Sequence, residues 1–133
     1  MLRECRIQLI YMLKRFLAAV ACAATIVPPV SAHATTEPTC SYASHYGVGD
    51  GFHGRRSANG ERFDAYGNTV AHRWLPFGTR LRITNPRTGK SVIARVTDRG
   101  PFIHGRSLDM SYGAFSQVAS PSRGVVKVCY AAV

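Results

Sequence analysis

The chain has 133 residues, 46% of them apolar, and its 17 Lys+Arg against 7 Asp+Glu give a formal charge of +10. That length accommodates one compact domain and excludes a second core of useful size or a large cofactor enzyme. Disorder is excluded as well, because residues 35–133 carry 11 aromatic residues and segments of clear alternation.

The apolar residues are unevenly spread: residues 1–34 hold 23 of the 61, and residues 35–133 only 38. Lys14-Arg15 precede an apolar run from Phe16 to Val27 that ends at Pro28-Pro29. Ala32-His33-Ala34 then places small residues where a signal peptidase reads. The run is too short to span a bilayer stably. These features predict a signal peptide over residues 1–34, with Met12 an alternative start, and a mature domain over 35–133 with no membrane span after cleavage. Cys22 offers a lipoprotein anchor instead. Ala19-Val20-Ala21 lacks the Leu-type residue wanted three positions before a lipidated cysteine, so periplasmic or secreted export is favoured. Without the leader, 13 basic residues (11 Arg, 2 Lys) face 6 acidic ones, a charge of +7. Arginine forks pair bidentately with carboxylates, which suits an acidic polymer. Nucleic acid is not an expected partner, since export removes the protein from it and no recognition motif is present.

The mature chain opens on a first strand over 40–46. Six glycines then crowd residues 47–67, which read as loop. Residues 79–85 alternate Leu81 and Ile83 against Arg80, Arg82 and Thr84. Residues 90–97 alternate Val92, Ala94 and Val96 against Ile93 and Arg95. The intervening Asn85-Pro86-Arg87-Thr88-Gly89 has turn composition, so the two strands form a hairpin. Residues 111–119 carry Tyr112, Phe115, Val118 and Ala119 at helical spacing, and 125–130 read as the last strand. The class is all-β, a small barrel with one or two short helices. Of the four cysteines, Cys5 and Cys22 fall in the leader. Cys40 and Cys129 lie near the ends of the mature chain, where an oxidising compartment favours a disulfide over two separate buried thiols. His45, His53 and His104 show no metal-ligand spacing, and no metal site is expected.

Polar residues concentrate in four segments: 57–61, 70–72, 75–79 and 98–102. Asp98 directly follows an apolar-faced strand, and a partly desolvated carboxylate at a barrel mouth can act as a general acid. Glu61 supplies a second carboxylate, and His72 titrates near neutrality. Two carboxylates and a histidine suit glycosidic cleavage, where the leaving oxygen must be protonated as positive charge builds on the sugar. Each also has a plain structural reading. Asp98 reads as a turn residue, Glu61 as a solvated loop carboxylate and His72 as a packed or capping histidine. Asp109 fits a helix cap as well as a ligand.

Taken in order, seven blocks resemble the rare lipoprotein A (RlpA) family of double-psi β-barrels. They are residues 43–47, 52–55, Ala58-Asn59-Gly60-Glu61-Arg62-Phe63, Ala71-His72, Leu75-Pro76-Phe77-Gly78-Thr79 with Ile83-Thr84-Asn85, Asp98-Arg99-Gly100-Pro101-Phe102, and 105–111. The resemblance implies a six-stranded double-psi barrel. It also implies lytic transglycosylase activity on peptidoglycan, favouring glycan strands stripped of stem peptides and needing no cofactor. Carried over by position, Asp98 is the main acid/base, with Glu61 and His72 supporting it. Tyr46, Phe52 and Trp74 are candidate sugar platforms, and Asn59, Arg99 and Arg106 candidate substrate contacts. A monomer is expected. His45 stands where the family has Trp or Tyr, residues 48–51 read as a small insertion, and no SPOR domain is expected after residue 133. A non-catalytic, expansin-like wall-binding module is the alternative, and a basic barwin-type defence barrel a further one.

Overall fold

The computed structural model describes residues 36–133; the predicted signal peptide, with Met12 and Cys22, lies outside those residues. Six strands form a closed barrel: β1 (Thr39–Tyr46), β2 (Thr69–Ala71), β3 (Arg80–Thr84), β4 (Ser91–Asp98), β5 (Arg106–Ser111) and β6 (Val125–Ala132). Around the barrel the order is β1-β5-β2-β4-β3-β6. The pairs β1/β5 and β2/β4 are parallel and the rest antiparallel. Among the described residues no helix is long and apolar enough to cross a membrane.

Alternation puts the core inside. Leu81 and Ile83 of β3, and Val92, Ala94 and Val96 of β4, are buried, while Arg80, Arg82 and Ile93 face out, as their period-2 pattern requires. Leu108 and Met110 of β5, Val70 of β2 and Val128 of β6 complete the interior. The helix α1 (Tyr112–Val118) closes one side by burying Ala114, Phe115 and Val118. Burial of the Phe115 ring alone contributes roughly 2–3 kcal/mol. The cap of α1 is Ser111, whose Oγ accepts from Ala114 N, so Asp109 is not the cap.

The predicted hairpin, first and last strands, and helix all form, with ends shifted by one or two residues. The loop over 47–67 contains only an isolated bridge between Arg56 and Arg62. Cys40 and Cys129 are register partners on β1 and β6 and are joined by a disulfide. Two strands fall outside the predicted set, β2 and β5, and both border the site.

Candidate active site

Asp98 ends β4, and Ala71 ends β2 beside it. Ala71 also pairs with Asp109 on β5. The two aspartates thus flank one residue across three adjacent strands, and a strand spacing of about 4.8 Å sets their backbones about 10 Å apart. On β1, Ser44 pairs with Asp109 and Tyr46 with Ser111. Residues distant in sequence therefore meet at one barrel end.

Asp98 is a hub. Its Oδ1 accepts the backbone N–H of Ala58 at 3.0 Å and of Arg99 at 2.9 Å, and its Oδ2 accepts the Tyr46 hydroxyl at 3.1 Å. Three of about four lone-pair sites are thereby filled, leaving one open on Oδ2. The Tyr46 ring stacks on Phe63 with centroids 4.4 Å apart and planes at 6°, and Phe52 meets it edge-on. Burial, and then the neighbouring Asp98, push the Tyr46 phenol far above its ordinary range, so it stays a hydrogen donor. Gly47 follows it at φ 113°, where a Cβ would lie 2.6 Å from the Phe63 ring. Only glycine lets the chain turn away there without displacing that stack.

Asp109 is half-buried, and its Oδ1 accepts from Ser44 Oγ at 3.0 Å. Burial raises its carboxyl above the usual range, against the opposing pull of the Ser44 hydrogen bond, Arg106 and His45. The candidate Arg106 therefore stands as a positive charge near a carboxyl group rather than as an isolated surface fork. Asp50, in the preceding loop, behaves in the opposite way. Despite some desolvation, the N–H groups of Gly47 and Phe52 hold it below the carboxylate range.

The other predicted residues surround this centre. Glu61 is half-exposed and paired bidentately with Arg95, at 3.0 and 2.8 Å, which lowers its carboxyl. Asn59 shapes that turn: its Oδ1 accepts from Glu61 N, and its own N–H donates to Thr97 O. His72 is buried. Its Nδ1 accepts from the N–H groups of Trp74 and Leu75, both at 3.1 Å, and its Nε2 faces Tyr130 Oη at 3.4 Å. Burial, then Arg73 and Arg99, lower its pKa and keep it neutral at pH 7. Both ring nitrogens are committed away from the carboxylates, so His72 reaches Asp98 only through its backbone N–H on Asp98 O, at 3.2 Å. Arg99 spends one guanidinium nitrogen on His72 O and Leu75 O and lies over the Phe77 ring at 3.8 Å, which binds two loops together. Trp74 is 77% exposed and Phe52 46%, so both rings are open to a ligand. His45 packs against Phe115 and Tyr112 and contacts Pro121 O, on the helix side of the barrel.

Asp109 and Ser44 are the residues that sequence reasoning left without a role at the site. The available signal was the alternation of Leu108 and Met110, which marks 106–111 as a strand and turns the neighbouring Asp109 toward the opposite face. Among the described residues no group of His, Cys, Asp and Glu is arranged to hold a metal ion.

A sequence profile of the lytic transglycolase family matches residues 39–130. Over 86 residues the chain is 55% identical to the protein named "Probable endolytic peptidoglycan transglycosylase RlpA" from Nostoc sp., covering 65% of this chain and 23% of that one. It is 46% identical to the endolytic peptidoglycan transglycosylase RlpA of Pseudomonas aeruginosa, covering 65% and 25%. The chain thus spans about a quarter of the length of these curated relatives. Among solved structures it resembles a point variant of the Clavibacter michiganensis expansin in complex with cellohexaose. The TM-score is 0.58 at 25% identity, over 72% of this chain and 50% of that one. The Streptomyces papain inhibitor shares the fold, with a TM-score of 0.60 at 21% identity over 74% of this chain and 96% of the other. A profile match across the whole barrel, with the six-stranded closed topology, shows that the chain belongs to the lytic transglycolase family of double-psi β-barrels.

Proposed function

We propose that this barrel is an exported lytic transglycosylase that cleaves the bond between N-acetylmuramic acid and N-acetylglucosamine in peptidoglycan, on strands lacking stem peptides. The observation that carries the reading is the pair Asp98 and Asp109, which flank Ala71 in unlike environments. Unlike carboxyl environments are how one site supplies both an acid and a base. Family membership and the printed names of the relatives support the substrate class.

In this reading Asp109 and Asp98 share the acid/base work that the family resemblance implies for Asp98, with Glu61 and His72 in support. Asp109, its carboxyl raised by burial, gives its proton to the glycosidic oxygen as the bond to muramyl C1 breaks. The muramyl C6 oxygen attacks C1 and closes the 1,6-anhydro ring, and its proton passes to the open lone pair of Asp98 Oδ2. A proton returned from Asp98 to Asp109 through solvent resets the site, so no water is consumed. Glu61, paired to Arg95, fixes the loop that donates Ala58 N–H to Asp98 and offers negative charge to the oxocarbenium-like ring. His72 is a positioning residue that builds the 72–75 turn. Phe52 and Trp74 offer stacking faces, and the peptidoglycan stands outside the cytoplasmic membrane, in keeping with a cleaved leader over 1–34.

Incubation of the purified protein with sacculi, intact and amidase-denuded, followed by mass spectrometry tests this. Anhydromuramyl fragments from the denuded substrate are expected, and Asp98→Asn is expected to abolish them with the fold intact. Absence of such fragments from both substrates refutes the lytic reading. Retention without cleavage supports the wall-binding alternative, which the likeness to an expansin favours.

A further inference from the structure

The end of the barrel remote from Asp98 carries a concavity. A cleft of about 330 Å³ opens between β1, the β3–β4 turn and the start of β6, and Tyr42, Asn85, Arg87, Arg123 and Lys127 line it. That volume lies at the lower end of small-ligand sites. No residue of the candidate active site contributes to it. β4 runs from Ser91, which pairs with Thr84 next to Asn85, to Asp98, and at about 3.3 Å per residue its ends lie about 23 Å apart.

The charge of this cleft is one-sided. Arg87, Arg123 and Lys127 line it, and no Asp or Glu does. The ion pairs among the described residues are His53–Asp64 and Arg95–Glu61, so none of the three cations is neutralised by one of those residues. Gathering three like charges works against folding unless a ligand offsets them. The scaffold beneath them is firm. Asn85 is 3% exposed, donates from Nδ2 to Val118 O, and accepts the Arg87 N–H on Oδ1, which fixes the turn that carries Arg87. Tyr42 and Lys127 are register partners on β1 and β6, and the Tyr42 ring is 51% exposed.

We propose that this cleft binds a phosphate ester of a sugar or polyol, with the three cations on the phosphate and the Tyr42 ring against its carbon skeleton. A single carboxylate has two oxygens and one charge, and one guanidinium satisfies it. A phosphate group brings three oxygens and close to two charges, which matches two forks and an ammonium. The inference is independent of the lytic reading. Two sources present this chemistry, a soluble or wall-linked ester and a phospholipid headgroup. Either one holds the barrel by the end remote from Asp98.

The test is an amide chemical-shift titration of the labelled protein with sn-glycerol 3-phosphate, inorganic phosphate and glycerol, at roughly physiological salt. Saturable shifts are expected at Tyr42, Arg87, Arg123 and Lys127 with the ester and none with glycerol. Affinity is expected to fall at least about tenfold in Arg87→Ala/Arg123→Ala, with release of anhydromuramyl fragments unchanged. Flotation with phosphatidylglycerol vesicles, lost in the double variant and absent with phosphatidylcholine, assigns the headgroup; binding of the soluble ester alone assigns the free or wall-linked form. Shifts spread evenly over Arg55, Arg80 and Arg82, unchanged affinity in the double variant, or equal affinity for inorganic phosphate overturns the proposal.

Discussion

Asp109→Asn moves activity and stability in opposite directions. The substitution keeps a side-chain oxygen that can accept from Ser44 Oγ, and it removes the ionisable proton. As the general acid, Asp109 supplies about 10²- to 10⁴-fold of rate, equivalent to about 2.7–5.4 kcal/mol of transition-state stabilisation. Anhydromuramyl release is expected to fall by that factor. Stability follows from the direction of the titration. Burial raises the folded-state pKa of Asp109 above its unfolded value. The neutral carboxyl therefore favours the fold below the unfolded pKa, and that contribution is lost as pH rises through the folded pKa. As pH rises above the unfolded pKa the wild type loses this contribution, which Asn does not have to lose. Thermal melts at about pH 4 and about pH 7 check this. Relative to wild type, the variant is expected to gain stability between the lower and the higher pH while remaining inactive at both. Activity within about tenfold of wild type, or a relative stability that falls toward neutral pH, refutes the acid assignment.

The disulfide offers a separate test. Its sequence separation of 89 corresponds to about 4.6 kcal/mol of unfolded-state entropy. Cys40→Ser/Cys129→Ser is expected to lower Tm by roughly 20–35 °C in calorimetry; a loss under about 5 °C contradicts the loop-entropy account. Gly113→Ala places a Cβ against the backbone carbonyl of Tyr66, where nothing flexible can yield. An overpacking cost of about 1–3 kcal/mol is expected in denaturant unfolding; an unchanged midpoint contradicts the close approach.

The parts of the fold visible in the sequence are those where one chemical pattern repeats locally. Leu81 and Ile83 against Arg80 and Arg82, with Asn85 to Gly89 between the strands, define β3 and β4 without outside information. Helical spacing of Phe115 and Val118 defines α1 in the same way. β2 has three residues, too few for a period, and it becomes a strand because β4 and β5 lie on either side of it. Parallel pairing is the deeper obstacle. β1 meets β5 across more than 60 residues, as the Ser44–Asp109 bond shows, and no local signal in either segment names the other. A separation of 52 residues likewise hid the link between Tyr46 and Asp98. Motif positions located Asp98, Glu61 and His72 in the sequence. Their partners depended on folding, which ties Glu61 to Arg95 and turns the His72 ring toward Tyr130.

The bond between Cys40 and Cys129 also fixes how the domain bears load. Cys40 is the second residue of β1, and Cys129 lies three residues before the end of β6. Tension applied between residues 36 and 133 passes directly from one sulfur to the other, because the bridge is the shorter covalent path. The segment between them, which holds both aspartates and the phosphate-ester cleft, lies in a mechanically slack parallel branch. A pull on the two chain ends therefore leaves the geometry of that segment out of the line of force.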